Sequence, residues 1–172
     1  MTSRAAWLTR TETDADAPAI RAVDLAAFDT PLEADLVEAL RADGAWLDGL
    51  SLVVADPDDG TVVGHALLTR CHVGDAPALC LGPVAVLPAH QGKGAGTAAV
   101  RAALAAARDR AEPHVVVLGH PAYYPRFGFT PAFRHGIGVS FDVPAEALMA
   151  LTLDAARPLP GGTVRYAKPF GV

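Results

Sequence analysis

The spacing of apolar positions changes along the chain, and each change marks an element. Residues 6–11, AWLTRT, read as a first strand. From Thr13 the period lengthens, with Ile20, Val23, Ala27 and Phe28 at helical spacing. Thr13 and Asp16 stand as a weak capping box for that helix. Thr30-Pro31-Leu32-Glu33 gives a firmer start to a second helix: a hydroxyl at the N-cap, proline at the first helical position and a carboxylate two further on. Leu32, Leu36, Val37 and Leu40 share one face of it, and Gly44 ends it.

The pattern then turns to strands. Residues 50–56 and 61–71 form a predicted hairpin with Asp59-Gly60 at its tip, and 78–86 follow after a Gly74–Pro77 break. Pro83 has no N–H and follows Gly82, so regular pairing is expected to bulge or stop there. A loop leads into a helix over 94–111 with Val100, Leu104, Ala107 and Ala111 as its apolar stripe. Residues 114–120, HVVVLGH, are almost wholly apolar and predict a buried central strand. A short turn over 121–129 closes at Gly128. Strands are predicted at 136–142, 150–153 and 162–167, with a helical turn at 143–149. No repeat, linker or charge run divides the chain, so residues 1–172 read as one domain.

Composition narrows the function. The 172 residues carry a net charge of −5, which argues against a nucleic-acid partner. No apolar run is long enough to span a bilayer, and MTSRAAWLTR lacks a secretory apolar core, so a cytoplasmic protein without a membrane partner is expected. Cys71 and Cys80 have no CxxC spacing and suit buried, inert thiols in a reducing compartment, their pairing left open. The six histidines show no zinc-type spacing, so no metal is expected.

The informative segment is strand, then Gln91-Gly92-Lys93-Gly94-Ala95-Gly96-Thr97, then helix. Glycines beside a first helical turn leave backbone N–H groups unobstructed at the positive end of the helix dipole, which suits a phosphate. Lys93 adds a mobile charge. A plain glycine-rich turn is the competing reading. No Walker pattern is present. Gly94-x-Gly96-x-x-Ala99 matches a dinucleotide fingerprint, yet the next strand ends in Leu118-Gly119-His120 without the acid that would bind ribose.

Gln91-x-x-Gly94-x-Gly96 after LGPVAV resembles the acetyl-CoA signature of the GNAT N-acetyltransferase superfamily, and Tyr124-Pro125-Arg126-Phe127-Gly128-Phe129 resembles its second signature. LGHPAYYPRFGF and GTVRY are similar to the YhbS-type branch of predicted bacterial acetyltransferases. The resemblance implies an α/β fold: a mixed, mostly antiparallel, twisted sheet of six to seven strands, splayed at its centre and flanked by helices. The splay would fall between 79–87 and 114–120. It further implies an enzyme that moves an acetyl group from acetyl-CoA to the primary amine of a small molecule, peptide or protein.

In that reading Val84, Ala85 and Val86 offer main-chain groups to the pantetheine arm, and Gln91, Gly92, Lys93, Gly94, Ala95, Gly96 and Thr97 hold the pyrophosphate. Tyr124 would protonate the departing thiolate, while Tyr123 reads as a packing aromatic. Strand acid and asparagine found in better-studied members are missing here: Val115-Val116-Val117 occupies the strand. His120 is then the candidate base, although Gly119-His120-Pro121 also suits a helix cap. Glu33 is assigned to its capping box. A noncatalytic acyl-CoA-binding domain and a dinucleotide oxidoreductase remain as alternatives, and a homodimer is left open.

Overall fold

The computed structural model describes residues 6–172. Its strands are β1 (Leu8–Thr11), β2 (Trp46–Ala55), β3 (Val62–Val73), β4 (Ala76–Val86), β5 (His114–Leu118), β6 (Thr130–Pro131), β7 (Ile137–Gly138), β8 (Leu148–Thr152) and β9 (Gly162–Arg165). Three α-helices separate them: α1 (Ala17–Ala27), α2 (Leu32–Arg41) and α3 (Ala95–Asp109). Seven strands run in the order β1-β2-β3-β4-β5-β8-β6, and β9 joins off this path by pairing with β3 and β7. All pairings are antiparallel except β4 with β5 and β7 with β9. The mixed, mostly antiparallel sheet expected from the sequence is therefore the one observed. The single long parallel pair needs a crossover, and α3 supplies it.

Period-two alternation assigns the two faces of the sheet. Leu50, Leu52 and Val54 of β2, Leu79 and Leu81 of β4, and Val115 and Val117 of β5 pack with Val100, Ala103 and Leu104 of α3. Val53 and Leu67 point the other way and meet Ile20 of α1 with Val37 and Leu40 of α2. Farther along that second face, Cys80, Val116 and Ala150 lie under Ile137 and Val164 from the C-terminal segment. Among the described residues, no helix is long and apolar enough to cross a membrane. Cys71 and Cys80 are both buried and free, and burial pushes the Cys71 thiol up to about 12.

Two helix starts exchange roles relative to the sequence expectation. The Asp16 carboxylate accepts the Thr13 N–H at 2.6 Å and also pairs with Arg10, so the weak capping box is the one that forms. At α2 the Pro31 carbonyl accepts the first helical bond, from Asp35 N–H at 2.9 Å. Pro31 is thus the N-cap, Thr30 Oγ1 reaches only Leu32 N–H at 3.4 Å, and Glu33 is released from capping. The C-terminal part differs in detail as well. The strand predicted over 136–142 shrinks to Ile137–Gly138, while the turn predicted over 143–149 is a 3₁₀ turn at Ala145–Ala147 running straight into β8.

Candidate active site

The parallel pairing of β4 and β5 covers three residues and then ends. Leu79 faces Val115, Cys80 faces Val116 and Leu81 faces Val117. Beyond Leu81 the two strands part at Gly82-Pro83, a cis peptide bond, while β4 keeps its partner on the other side: Ala66 opposite Val84, His65 opposite Ala85, Gly64 opposite Val86. Val84, Ala85 and Val86 consequently have no strand neighbour toward β5 among the described residues. A gap in the middle of a sheet leaves main-chain groups without their usual partners, which is costly unless a ligand or water takes them.

Immediately past β4 the chain turns through Gln91–Gly94 into α3. Gly92 at φ 72° and Gly94 at φ 89° occupy left-handed backbone, the region only glycine enters freely. Gly94 caps the helix, and its carbonyl accepts Ala98 N–H at 3.0 Å. The N–H groups of Ala95, Gly96 and Thr97 precede that first bond and are free of intrahelical partners. Gln91 Nε2 donates to the Val86 carbonyl at 3.0 Å, and Lys93 Nζ donates to the Ala89 carbonyl at 3.3 Å, tying the loop to the strand end. Trp7 Nε1 donates to the Lys93 carbonyl at 2.9 Å, fixing the loop from outside. Gly96 has ordinary backbone. An added Cβ there would come within 3.5 Å of Val86 and 3.6 Å of the Tyr123 hydroxyl, filling a narrow floor between helix and strand.

The β5 end supplies the other wall. Gly119 follows β5, and the chain then wraps into a 3₁₀ turn over Tyr124–Phe127. Tyr124 is half-buried, its ring edge-on to Tyr123 at 5.1 Å and to Phe129 at 5.9 Å. Burial, aided by Tyr123, pushes its phenol up to about 12, so the hydroxyl keeps its proton throughout the neutral range. A Cβ at Gly119 would lie 2.5 Å from the Tyr124 ring, so that glycine is what admits it. Tyr123, expected as a packing aromatic, does more: its hydroxyl lies 2.9 Å from Thr97 Oγ1 in the first turn of α3, and the Arg126 guanidinium sits 4.2 Å over its ring. The two tyrosines thus face different partners.

His120 is exposed beside this turn. Its carbonyl accepts Tyr123 N–H at 3.0 Å, whereas its ring makes no capping bond. The imidazole instead borders a cavity of about 500 Å³ that opens where the sheet splits, between Gly82–Val84 on one side and Leu118–Tyr124 on the other. Across from Tyr124 the cavity meets Phe28, Glu33 and Leu36 from the α1 end and α2, with Phe141, Tyr166 and Phe170 from the C-terminal segment. Tyr124 packs with the α3 face of the sheet and Leu36 with the opposite face, so the split joins the two sides.

Glu33 is the residue that the sequence pattern concealed. Its Oε2 is shielded from solvent and has no hydrogen-bond partner among the described residues. A second polar trio lies elsewhere: Ser51 Oγ is 2.8 Å from His65 Nε2, and His65 Nδ1 is 3.9 Å from Asp24. Asp24 and His65 have no exposure to solvent, and none of the three borders the cavity at the split.

A split parallel pair, a glycine-rich start to α3 and a half-buried phenol beside the split are accompanied by a direct match to known proteins. Residues 18–129 match the model of the acetyltransferase (GNAT) family. This chain belongs to the GNAT acetyltransferase family. It is 37% identical over 162 residues to the uncharacterized N-acetyltransferase YjhQ of Escherichia coli K12, covering 90% of this chain and 88% of that protein. With the E. coli N-acetyltransferase YhbS it shares 36% identity over 132 residues, 76% of this chain and 77% of that one. The crystal structure of E. coli YhbS in complex with CoA superposes with a TM-score of 0.90 at 30% identity, covering 100% and 96% of the two chains. A GNAT family acetyltransferase from Brucella melitensis in complex with acetyl-CoA gives a TM-score of 0.77 at 33% identity, covering 96% and 98%.

Proposed function

We propose that this chain, as one acetyltransferase domain over residues 1–172, transfers an acetyl group from acetyl-CoA to the primary amine of an acceptor. The observation that carries this reading is the parting of β4 and β5 at Gly82 with Tyr124 at its edge. The residues present fit the donor. Free N–H groups at Ala95–Thr97 and the positive end of α3 suit its pyrophosphate, and the segment Val84, Ala85 and Val86, left without a strand on its β5 side, suits an amide-bearing arm, although the Val86 carbonyl already accepts from Gln91. Gln91, Gly92, Lys93 and Gly94 complete that cradle. Acetyl-CoA supplies the activated acetyl group when bound.

The rest is the work of this chain's side chains. An alkylammonium has no lone pair, so it must lose a proton before its nitrogen can attack the acetyl carbonyl. His120, at the cavity rim, takes that proton; the nitrogen then bonds to the acetyl carbon, the C–S bond breaks, and the acylated nitrogen releases its one surplus proton to solvent to leave a neutral amide. The sulfur leaves with the bonding pair and receives the Tyr124 proton; solvent restores it. Tyr124 suits this role because its hydroxyl remains protonated until about pH 12. Leu81, Pro83 and Leu118 give the cavity an apolar wall beside the split. A cytoplasmic setting, where acetyl-CoA and reduced thiols coexist, belongs to the same proposal.

The test is release of free CoA thiol from acetyl-CoA on addition of primary amines, followed with a chromogenic thiol reagent. Amine-dependent release, abolished when the amine is blocked, is the expected result. Saturable CoA binding, read as a raised Tm, with no thiol released by small amines, polyamines or peptide N-termini would make the chain a noncatalytic acyl-CoA binder.

A further inference from the structure

We infer that the cavity selects a primary amine bearing a single positive charge on an apolar, preferably aromatic, body, and that Glu33 is the residue that reads the charge. This deepens the acetyltransferase reading above and rests on it only for the fate of the bound amine. Three observations converge. First, Glu33 comes from α2, across the split from Tyr124, and its Oε2 is withdrawn from solvent without a partner. An unpaired carboxylate oxygen out of water is costly, and a cation that supplies the missing donors removes that cost. Second, among the described residues no lysine or arginine borders the cavity, so no permanently charged cation of the protein competes there for Glu33, and His120 at the rim is the single basic side chain. Third, the wall beside Glu33 includes Phe28, Leu36, Phe141, Tyr166 and Phe170, which offer ring faces and aliphatic surface to an apolar body.

The same inventory disfavours other amines. A polyamine would bury its second ammonium among aromatic rings with no second side-chain carboxylate to meet it. A free amino acid would bring its carboxylate beside Glu33, and like charges at close range in a half-enclosed site repel. The influence of Glu33 already reaches the enclosed Asp24, whose carboxyl it helps push toward the neutral form.

The experiment measures binding separately from turnover. 2-Phenylethylamine, phenylalanine and spermidine are titrated calorimetrically into the CoA-bound protein, a dead-end complex in which nothing reacts, for the wild type and for Glu33→Gln. The inference expects 2-phenylethylamine to bind at least tenfold more tightly than either competitor. It also expects Glu33→Gln to weaken that binding at least tenfold, leaving CoA affinity and Tm near wild type. Glu33→Asp, which keeps the charge on a shorter arm, should recover part of the loss. Preference for spermidine or phenylalanine, or an unchanged 2-phenylethylamine affinity in folded Glu33→Gln, overturns it. If 2-phenylethylamine binds through Glu33 yet releases no thiol from acetyl-CoA, the acceptor inference stands and the catalytic proposal fails. In steady-state assays Glu33→Gln should raise KM for the amine far more than it lowers kcat.

Discussion

His65 Nδ1 lies 3.9 Å from the Asp24 carboxyl, and both side chains have no exposure to solvent. The distance is too long for a hydrogen bond, and both oxygens of Asp24 and Nδ1 of His65 lack partners among the described residues. Burial pushes Asp24 up to about 7, with Glu33 adding to the rise and Arg41 opposing it. Burial, with Arg41 beside it, pulls His65 down to about 3. Although their spacing resembles an ion pair, the two groups face each other uncharged between about pH 3 and pH 7. Folding therefore shifts one proton from the histidine to the aspartate without net uptake.

Stability follows from that proton count. Between about pH 4 and 6.5 the unfolded pair holds one proton, on His65, and the folded pair also holds one, on Asp24, so their contributions to the slope cancel. Asp24→Asn leaves His65 alone. The unfolded state then binds the extra proton, and stability should rise by several kcal/mol as pH climbs from about 4 to 6.5. His65→Gln leaves Asp24 alone, which binds its proton only when folded, and stability should fall over about pH 4 to 7. Urea unfolding of the three proteins across this range checks it, and parallel curves would contradict the pairing.

Tyr124→Phe keeps the ring that packs against Phe129 and removes only the acidic proton. With 2-phenylethylamine as acceptor, or whichever primary amine the thiol-release screen identifies, kcat should fall on the order of a hundredfold, the lower part of what a positioned general acid contributes. KM for acetyl-CoA should stay within about twofold, since no donor-holding group is lost. Steady-state kinetics separate the two parameters, and an unchanged kcat would take the proton from another source.

How far the sequence reached follows from how local each signal was. An interruption of pairing at Gly82-Pro83 was legible because Pro83 carries no N–H and Gly82 no side chain, a covalent fact at that position, whereas the split itself was implied by the family resemblance. The long strands β2, β3 and β4 were legible because each alternates between two buried faces. β6 and β7 have two residues each, too few for any period to show. Glu33 was hidden because Thr30-Pro31-Leu32-Glu33 satisfies a capping pattern locally, while only the packing of α2 decides that the helix begins with Pro31 as its cap. Tyr123 was undervalued because its partner, Thr97, lies 26 residues away across β5.

Gly119→Ala tests how Tyr124 is seated. The new methyl would sit 2.5 Å from one ring atom, closer than side chains tolerate, and a tight 3.2 Å from another, so the ring must move. Turnover should drop as far as in Tyr124→Phe, accompanied by a stability loss of roughly 1–3 kcal/mol from overpacking. Combining the two substitutions should cost little further kcat, because both remove the same proton donor. An additive loss would place Gly119 in some separate role.

Gly94→Ala addresses the anion site through the backbone alone. At φ 89° an alanine is strained by roughly 1–2 kcal/mol, while the nearest non-adjacent atom to an added Cβ is 3.9 Å away, so sterics contribute little. To relieve the strain the cap must rotate, and that turns the N–H groups of Ala95, Gly96 and Thr97 away from their common direction. CoA affinity should fall about tenfold or more, while 3′-dephospho-CoA, which keeps the pyrophosphate, should lose affinity in the same proportion. Gly44→Ala provides the control, since Gly44 has ordinary backbone and open space around an added Cβ and lies in the turn between α2, which ends with Ala42 as its cap and not at Gly44 as expected, and β2. If calorimetry finds equal CoA affinity in Gly94→Ala, Gly44→Ala and the wild type, the first turn of α3 is not what grips the diphosphate.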